Sequence, residues 1–440
     1  MDLDTRLQNV SVIGAAGKMG SGITLLLAQE MARLSLLPEN RGRVFRLNAI
    51  DLDPAGLIGL REYLHAQATK TAEKTIVALR TLYADRPDLV ENGEIIADYV
   101  RRVGDLVWPA TDLGAARGST LVFEAIVEKT GVKASVFRQL RDLCPEAYFL
   151  TNTSSIPIGE IDREAGLGGR VIGFHFYNPP PVQKLVEVIR AETTPDELSA
   201  LAAELGRRLR KTLIPSADVA GFIGNGHFIR DGLHGLNEAQ RLSRGRGWAR
   251  GAWLVNRVSQ DWLLRPMGIF QLIDYVGIDV FQMIQIVMDE HLDEHLRHEV
   301  IDRALELGVR GGQNPDGSQK PGFFRYEKGR PVAAYDLEAR DYVPIDASWD
   351  EELGPLPEGF RPWKALTRAP DRDEALAAHF GALAGMDTLG AQLARAYLAR
   401  SREIGRQLVE QKVAASEDDV NRVLMLGFYH LYGPINDYCA

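Results

Sequence analysis

Cysteine is nearly absent from this chain: Cys144 and Cys439 are the only two among 440 residues. Two thiols build no disulfide framework, so the fold must rest on its own apolar cores, and a reducing, cytoplasmic setting is expected. Long apolar runs are missing too. Stretches such as Ile23 to Ala28 fall far short of the ~20 residues a membrane-spanning helix needs, so no membrane insertion is expected. An excess of basic residues is lacking: 51 Lys and Arg against 60 Asp and Glu leave a net charge of −9. That balance argues against a nucleic-acid partner, though a local cation or a helix N-terminus still suits a small anionic ligand. The opening Met1-Asp2-Leu3-Asp4 has neither the basic nor the apolar stretch of a secretory signal. No metal is expected. The remaining composition, 45% hydrophobic and 25% charged, is that of a globular chain long enough for two or three domains.

What is present starts near the N-terminus. Val10 to Ile13 is a short apolar run of the buried-strand kind. Gly14-Ala15-Ala16-Gly17-Lys18-Met19-Gly20 follows, and Ile23 to Ala28 reads as a helix. Strand, glycine turn and helix together make a phosphate site: the glycines let a pyrophosphate approach the backbone, and the helix N-terminus faces its charge. Gly14, Gly17, Lys18, Met19 and Gly20 are therefore candidate cofactor contacts. The spacing Gly-x-x-Gly-x-x-Gly is longer by one position than the usual dinucleotide pattern. Asn48-Ala49-Ile50-Asp51 reads as the end of the second strand. A carboxylate there accepts both ribose hydroxyls and repels a 2′-phosphate, which favours NAD over NADP. The span from Gly20 to Asp51 exceeds the usual ~20 residues. The excess, around Leu36 to Arg46, is predicted to be an extended loop, and Asp53 is the alternative to Asp51.

Three further apolar runs end in polar residues. Thr120 to Ile126 contains Glu124; Tyr148-Phe149-Leu150 leads into Thr151-Asn152-Thr153-Ser154-Ser155; Val171 to Tyr177 contains His175 and stops at Asn178-Pro179-Pro180-Pro181. Glu187 follows His175 on the next apolar run, and Asn225 lies well beyond both. A carboxylate such as Glu187, bonded to one ring nitrogen, fixes the tautomer of a histidine and stabilises its imidazolium. The other nitrogen can then take a substrate proton.

The run Gly-Phe-His-Phe-Tyr-Asn-Pro from Gly173, continued by Lys184-Leu185-Val186-Glu187-Val188, resembles the L-3-hydroxyacyl-CoA dehydrogenase family. So do the order and spacing of Ser154, His175, Glu187 and Asn225. The resemblance implies an NAD-dependent oxidation of a 3-hydroxyacyl-CoA, with an acyl-CoA as partner molecule. It implies that His175 is the base, that Glu187 orients it, and that Ser154 (rather than Ser155) and Asn225 hold substrate oxygens. Through the segment Phe123 to Glu128, with Val132-Lys133 after it, the resemblance places Glu124 near the nicotinamide. Asn225 closes Gly221-Phe222-Ile223-Gly224-Asn225, which resembles the opening of the family's helical domain. The residue after it is Gly226, where the family has Arg.

From about Asp218 the pattern becomes helical, as in Gly235 to Leu242 and Val280 to Met288. Residues 327–375, rich in Pro and charge, read as irregular. Val255-Asn256-Arg257-Val258 recurs as Val420-Asn421-Arg422-Val423, and Gly268 and Gly433 follow their tetrapeptides at the same offset. This reads as a duplicated helical domain, the second copy structural. The expected fold class is α/β: an N-terminal Rossmann-type doubly wound sheet followed by an all-α domain present in two copies. The expected domains are 1–215 (NAD-binding), 216–310 (helical), 311–372 (linker or wrapping segment) and 373–440 (second, degenerate helical repeat). The expected assembly is a monomer with an internal pseudo-dimer, or a homodimer. Two other functions fit the same residues: a dehydrogenase of a free hydroxy acid or carnitine-like alcohol, and a non-catalytic NAD-binding protein. Lys70, Lys74 and Arg80 are candidate partners for CoA phosphates beside the plainer reading of a solvated helix face. No motif encodes acyl chain length or direction, which depend on cleft shape and metabolite levels.

Overall fold

The computed structural model describes residues 1–314 and 317–439. The chain forms two compact units, Met1–Asp218 and Val219–Ala440.

The first unit is built on eight strands: β1 (Asn9–Ile13), β2 (Arg46–Ile50), β3 (Val107–Ala110), β4 (Leu121–Glu124), β5 (Tyr148–Thr151), β6 (Val171–Phe176), β7 (Leu185–Ile189) and β8 (Thr212–Ser216). Their order in the sheet is β3-β2-β1-β4-β5-β6-β7-β8. Every neighbouring pair is parallel except β6 with β7. All residues of β4, β5 and β6 are buried, which is why these strands read as continuous apolar runs rather than alternating ones: helices cover both faces. The chain works outward from β1 to β3, then returns to lay β4 on the other side of β1. At such a reversal the carboxyl ends of the strands take the ligand in a doubly wound sheet. Gly14, Asp51, Glu124, Thr151 and His175 all lie at those ends. The expected long loop after the first helix holds a short 3-10 turn, Pro38–Asn40. There the buried Asn40 amide donates to the Leu34 carbonyl at 2.9 Å.

The second unit is mostly helical but not all-α, which corrects the expectation. A three-stranded antiparallel sheet, β9 (Phe324–Glu327), β10 (Arg330–Asp336) and β11 (Asp341–Pro344), occupies the segment read as irregular. Pro331 and the charged residues around it hid the strand signal. Burial supplies the strand instead: Ala333, Ala334 and Tyr335 of β10 are in the core, and the Phe324 ring of β9 meets Trp253 edge-on, 5.7 Å between centroids. One carboxylate pins the sheet's start. Asp274, fully buried, accepts from the Phe323 and Phe324 N–H groups at 2.6 and 2.9 Å and from the Tyr326 hydroxyl at 2.7 Å. Burial pushes its pKa up to about 7, against the pull of those three donors. Residues from 219–310, 311–372 and 373–439 share one apolar core. No single helix among the described residues is long and apolar enough to cross a membrane.

Candidate active site

The glycine turn forms because β1 must reverse into a helix within a few residues. Gly14 takes φ +79°, and the Gly14 and Ala15 N–H groups both donate to the Ile50 carbonyl, at 2.8 and 3.1 Å. Space is decisive at Gly20: a Cβ there would stand 1.9 Å from the Gly14 carbonyl oxygen, inside any allowed contact. The helix Lys18–Ser35 follows with Gly17 as its N-cap, which brings no capping side chain. A phosphate is the natural cap for that first turn. The longer spacing is absorbed inside the turn, where the Gly17 N–H donates to the Gly14 carbonyl at 3.1 Å.

Asp51 follows β2 and clamps this turn, its Oδ2 accepting from the Ala16 N–H at 2.9 Å. Asp53, the alternative ribose partner, is occupied as the N-cap of the helix Pro54–Lys74 and accepts from the Ala55 N–H. Of the two carboxylates, Asp51 is the one beside the glycine turn. Lys70 and Lys74 lie exposed on that helix. The Arg80 guanidinium is engaged by Asn92 at 2.7 Å and by the Val90 carbonyl.

Glu124 is wholly buried at the end of β4. Lys133 Nζ and the Ile126 N–H donate to its Oε1, both at 2.7 Å, and the Thr151 hydroxyl donates to its Oε2 at 2.6 Å. Lys133 is itself 1% exposed and also reaches Glu128 at 3.2 Å. Its pKa stays above the usual lysine value: burial lowers it, but the two carboxylates more than offset that. Glu124 thus ties the end of β4 to β5 and to Lys133, and the carboxylate that contacts Thr153, Ser154 and Ser155 is Glu128, which the sequence reading did not single out. Glu128 Oε1 accepts from the Thr153 hydroxyl at 2.6 Å, the Ser154 and Ser155 N–H groups at 2.7 and 2.9 Å, and their hydroxyls at 3.3 and 3.0 Å. Burial raises its pKa, but the Lys133 charge and these donors carry it below the usual carboxylate range. Its signal in the sequence was the spacing Glu124, Glu128, Lys133, which becomes a cluster only when β5 brings its turn alongside. Asp218 holds the far side of that turn, accepting from the Ile158 and Gly159 N–H groups at 2.5 and 2.7 Å.

His175 and Glu187 are directly opposite in the antiparallel register of β6 and β7. His175 Nδ1 is 3.0 Å from Glu187 Oε2, and Glu187 is wholly buried. The Asn152 carboxamide oxygen accepts from the Phe176 N–H at 2.8 Å, tying the serine turn to the histidine strand. Asn225 begins the helix Gly224–Ser243 in the second unit. Among the described residues no cluster of His, Cys, Asp and Glu could hold a metal ion. What the first unit assembles is an oriented imidazole, a hydroxyl turn held by a carboxylate, and a phosphate-cradling turn beside an acidic residue. That set suits proton transfer coupled to a dinucleotide.

Comparison with known proteins agrees. Residues 58–219 match the family model for the 3-hydroxyacyl-CoA dehydrogenase NAD-binding domain. Residues 252–320 match the model for the C-terminal domain of the same family. A probable 3-hydroxybutyryl-CoA dehydrogenase of Bacillus subtilis is 31% identical over 326 residues, covering 72% of this chain and 97% of that protein. A probable 3-hydroxybutyryl-CoA dehydrogenase of Deinococcus radiodurans is 33% identical over 220 residues, 49% of this chain and 75% of that protein. The crystal structure of the Escherichia coli K12 3-hydroxybutyryl-CoA dehydrogenase shares the fold at TM-score 0.62 and 22% identity, covering 98% of this chain and 90% of that one. With the glycine turn, the His175–Glu187 pair and near-complete coverage of a relative at 31% identity in agreement, this chain belongs to the 3-hydroxyacyl-CoA dehydrogenase family, whose cofactor is NAD.

Proposed function

We propose that this protein oxidises an L-3-hydroxyacyl-CoA to the 3-ketoacyl-CoA, reversibly and with NAD, in fatty-acid β-oxidation or related acyl-CoA metabolism in the cytoplasm. The observation that carries the reading is His175 held through Nδ1 by the buried Glu187 at the carboxyl end of β6. NAD, when bound, supplies the hydride acceptor; the protein supplies placement and proton movement. Gly14, Gly17, Lys18, Met19 and Gly20 form the turn for its pyrophosphate, and Asp51 is placed for its ribose. With Nδ1 donating to Glu187, His175 Nε2 accepts the C3 hydroxyl proton in oxidation and returns it in reduction. Ser154, whose hydroxyl donates to Glu128 here, is assigned on the resemblance to donate to the substrate's C3 oxygen, whose own proton goes to His175. For that the hydroxyl hydrogen must turn from Glu128 to the substrate. Asn225 is assigned to the substrate oxygens on the resemblance.

The test is loss of NADH absorbance with acetoacetyl-CoA, run beside free acetoacetate and beside NADPH. Turnover with the CoA ester and NADH alone is expected. Turnover of the free acid would move the protein to the hydroxy-acid dehydrogenases, and NADPH use would contradict the role of Asp51. NADH binding without turnover of short or long esters would indicate a non-catalytic protein.

The second unit supports the reading of a duplicated helical motif. Asn256 and Asn421, the matching asparagines of the two tetrapeptides, make similar contacts, one residue out of register. Asn256 Oδ1 accepts from the Gln271 N–H at 3.1 Å, and Asn421 Oδ1 from the Ile435 N–H at 2.9 Å. A Cβ on Gly268 would stand 2.2 Å from Asn256 Oδ1, and one on Gly433 would stand 2.1 Å from Asn421. Leu264 and Tyr429, separated by the same offset as the two asparagines, both hold left-handed backbone at φ +50° and +57°, a rare state for residues with side chains. That offset also maps the start of helix Gly224–Ser243 onto that of helix Leu389–Glu410. These helices pack together, the Tyr397 hydroxyl donating to the Asp231 carbonyl and the Ser401 hydroxyl to Asp231 Oδ1, both at 2.8 Å. At the position matching Asn225 the second copy has Gly390, where a Cβ would stand 2.6 Å from the Trp262 ring. No side chain fits there, which supports a structural role for that copy. An internal pseudo-dimer of this kind has less need of a partner subunit. Light scattering at low micromolar concentration is expected to include the monomer mass; a purely dimeric mass would count against this.

A further inference from the structure

Tyr177 lies just past the end of β6. Its hydroxyl donates to Glu187 Oε2 at 2.8 Å. That is the same oxygen that lies 3.0 Å from His175 Nδ1. The two rings lie side by side, 4.8 Å between centroids and 37° between planes. We infer that Tyr177 is a positioning residue which lowers the proton affinity of His175 by sharing the carboxylate oxygen that holds it. The inference rests on the dehydrogenase reading above.

The physical reason is competition on one atom. A second donor draws charge from Oε2, so Glu187 stabilises an imidazolium less than an unshared carboxylate does. The phenol is a permanent donor, because burial first, and then the charge of Glu187 and its hydrogen bond, hold its pKa well above the usual tyrosine value. Other charged and polar groups lie on the elements around the imidazole. β5, on the far side of β6, sets Thr151 opposite Gly173. β8 sets Ile214 opposite Glu187. The loop after β4 carries Glu128, which shares the single charge of Lys133 with Glu124. Lys184 and Lys211 flank the start of β7 and β8.

The sign follows directly. Oxidation needs neutral His175, so its rate falls on the acid side as the imidazole takes a proton. Removing the Tyr177 hydroxyl strengthens the hold of Glu187 on the imidazolium and must move that limb to higher pH. Reduction needs the imidazolium, so its alkaline limb must move the same way. The experiment is kcat/KM against pH in both directions for the wild type, Tyr177→Phe and Tyr177→Met. A rise of about 0.5–1 pH unit in both limbs is expected, which is roughly a three- to tenfold loss of oxidation below the limb. NADH affinity is expected to be unaltered. Packing alone predicts no shift with Phe, so limbs that stay in place or move to lower pH overturn the inference. The Met variant separates lost hydroxyl from lost ring: a shift with Met and none with Phe also overturns it. If the wild type turned over no ester, the dehydrogenase reading would fail first. A carbon-13 titration of the His175 ring, assigned with His175→Asn, then reads the same upward shift, or its absence, without turnover.

Discussion

His175→Ala is expected to lower turnover of 3-hydroxyacyl-CoA by about 10²–10⁴-fold, the range over which a positioned general base acts. NADH affinity, read by fluorescence titration, is expected to stay within about twofold. The separation follows from where the residue sits. His175 lies on β6, three strands from β1, whose end carries the glycine turn, and its bonding partner is Glu187 on β7. The glycine turn is closed by Ile50 and Asp51. The loss should fall on kcat more than on KM, because proton transfer is made only in the transition state. A variant with wild-type turnover would remove His175 from the mechanism. One that lost NADH binding as strongly as turnover would make it a structural residue instead.

Lys133→Met is expected to cost about 3–5 kcal/mol of stability, the usual penalty for deleting one partner of a buried ion pair. Lys133 and Glu124 are 1% and 0% exposed, 2.7 Å apart, with Glu128 at 3.2 Å. Without the ammonium, two carboxylates share a dry pocket with only hydroxyl and N–H donors to hold them. Urea unfolding checks the magnitude. The double variant Lys133→Met, Glu124→Gln is expected to recover part of the loss, since it also removes the stranded charge. A single variant within about 1 kcal/mol of the wild type would mean that water reaches this cluster. Activity is expected to fall as well, because Glu128, which sets the Ser154 turn, loses its ion-pair partner.

Much of the site was legible because its parts are local. A strand, a glycine turn and a helix occupy consecutive residues, so Gly14 to Gly20 could be read without knowing what lies beside them. His175 and Glu187 are near enough in sequence to fall on adjacent antiparallel strands, and the register then sets them opposite. The competition between Asp51 and Asp53 was not legible, since both follow β2. The structure shows Asp53 capping the next helix and Asp51 in contact with Ala16 of the glycine turn. The β9–β11 sheet was hidden for a different reason. Its strands draw stability from burial against Trp253 and Asp274, residues far earlier in the chain, not from their own propensities.

Glu124 and Glu128 mark the boundary between the two kinds of knowledge. The order of the amino acids alone offered the candidate chemistry: a glycine turn for a dinucleotide, a hydroxyl turn, a histidine with an acid to orient it, and a repeated helical tetrapeptide. It could not assign the two glutamates their roles, because one ends β4 and the other follows within a few residues. Only the folded sheet decided that Glu124 turns into the core onto Lys133 and Thr151, while Glu128 gathers the Ser154 turn. It likewise decided that Tyr177 and His175 share one oxygen of Glu187. Spacing along a chain restricts which residues can meet. Which atoms do meet, and whether water is there to screen them, depends on strands and turns brought together from distant parts of the sequence.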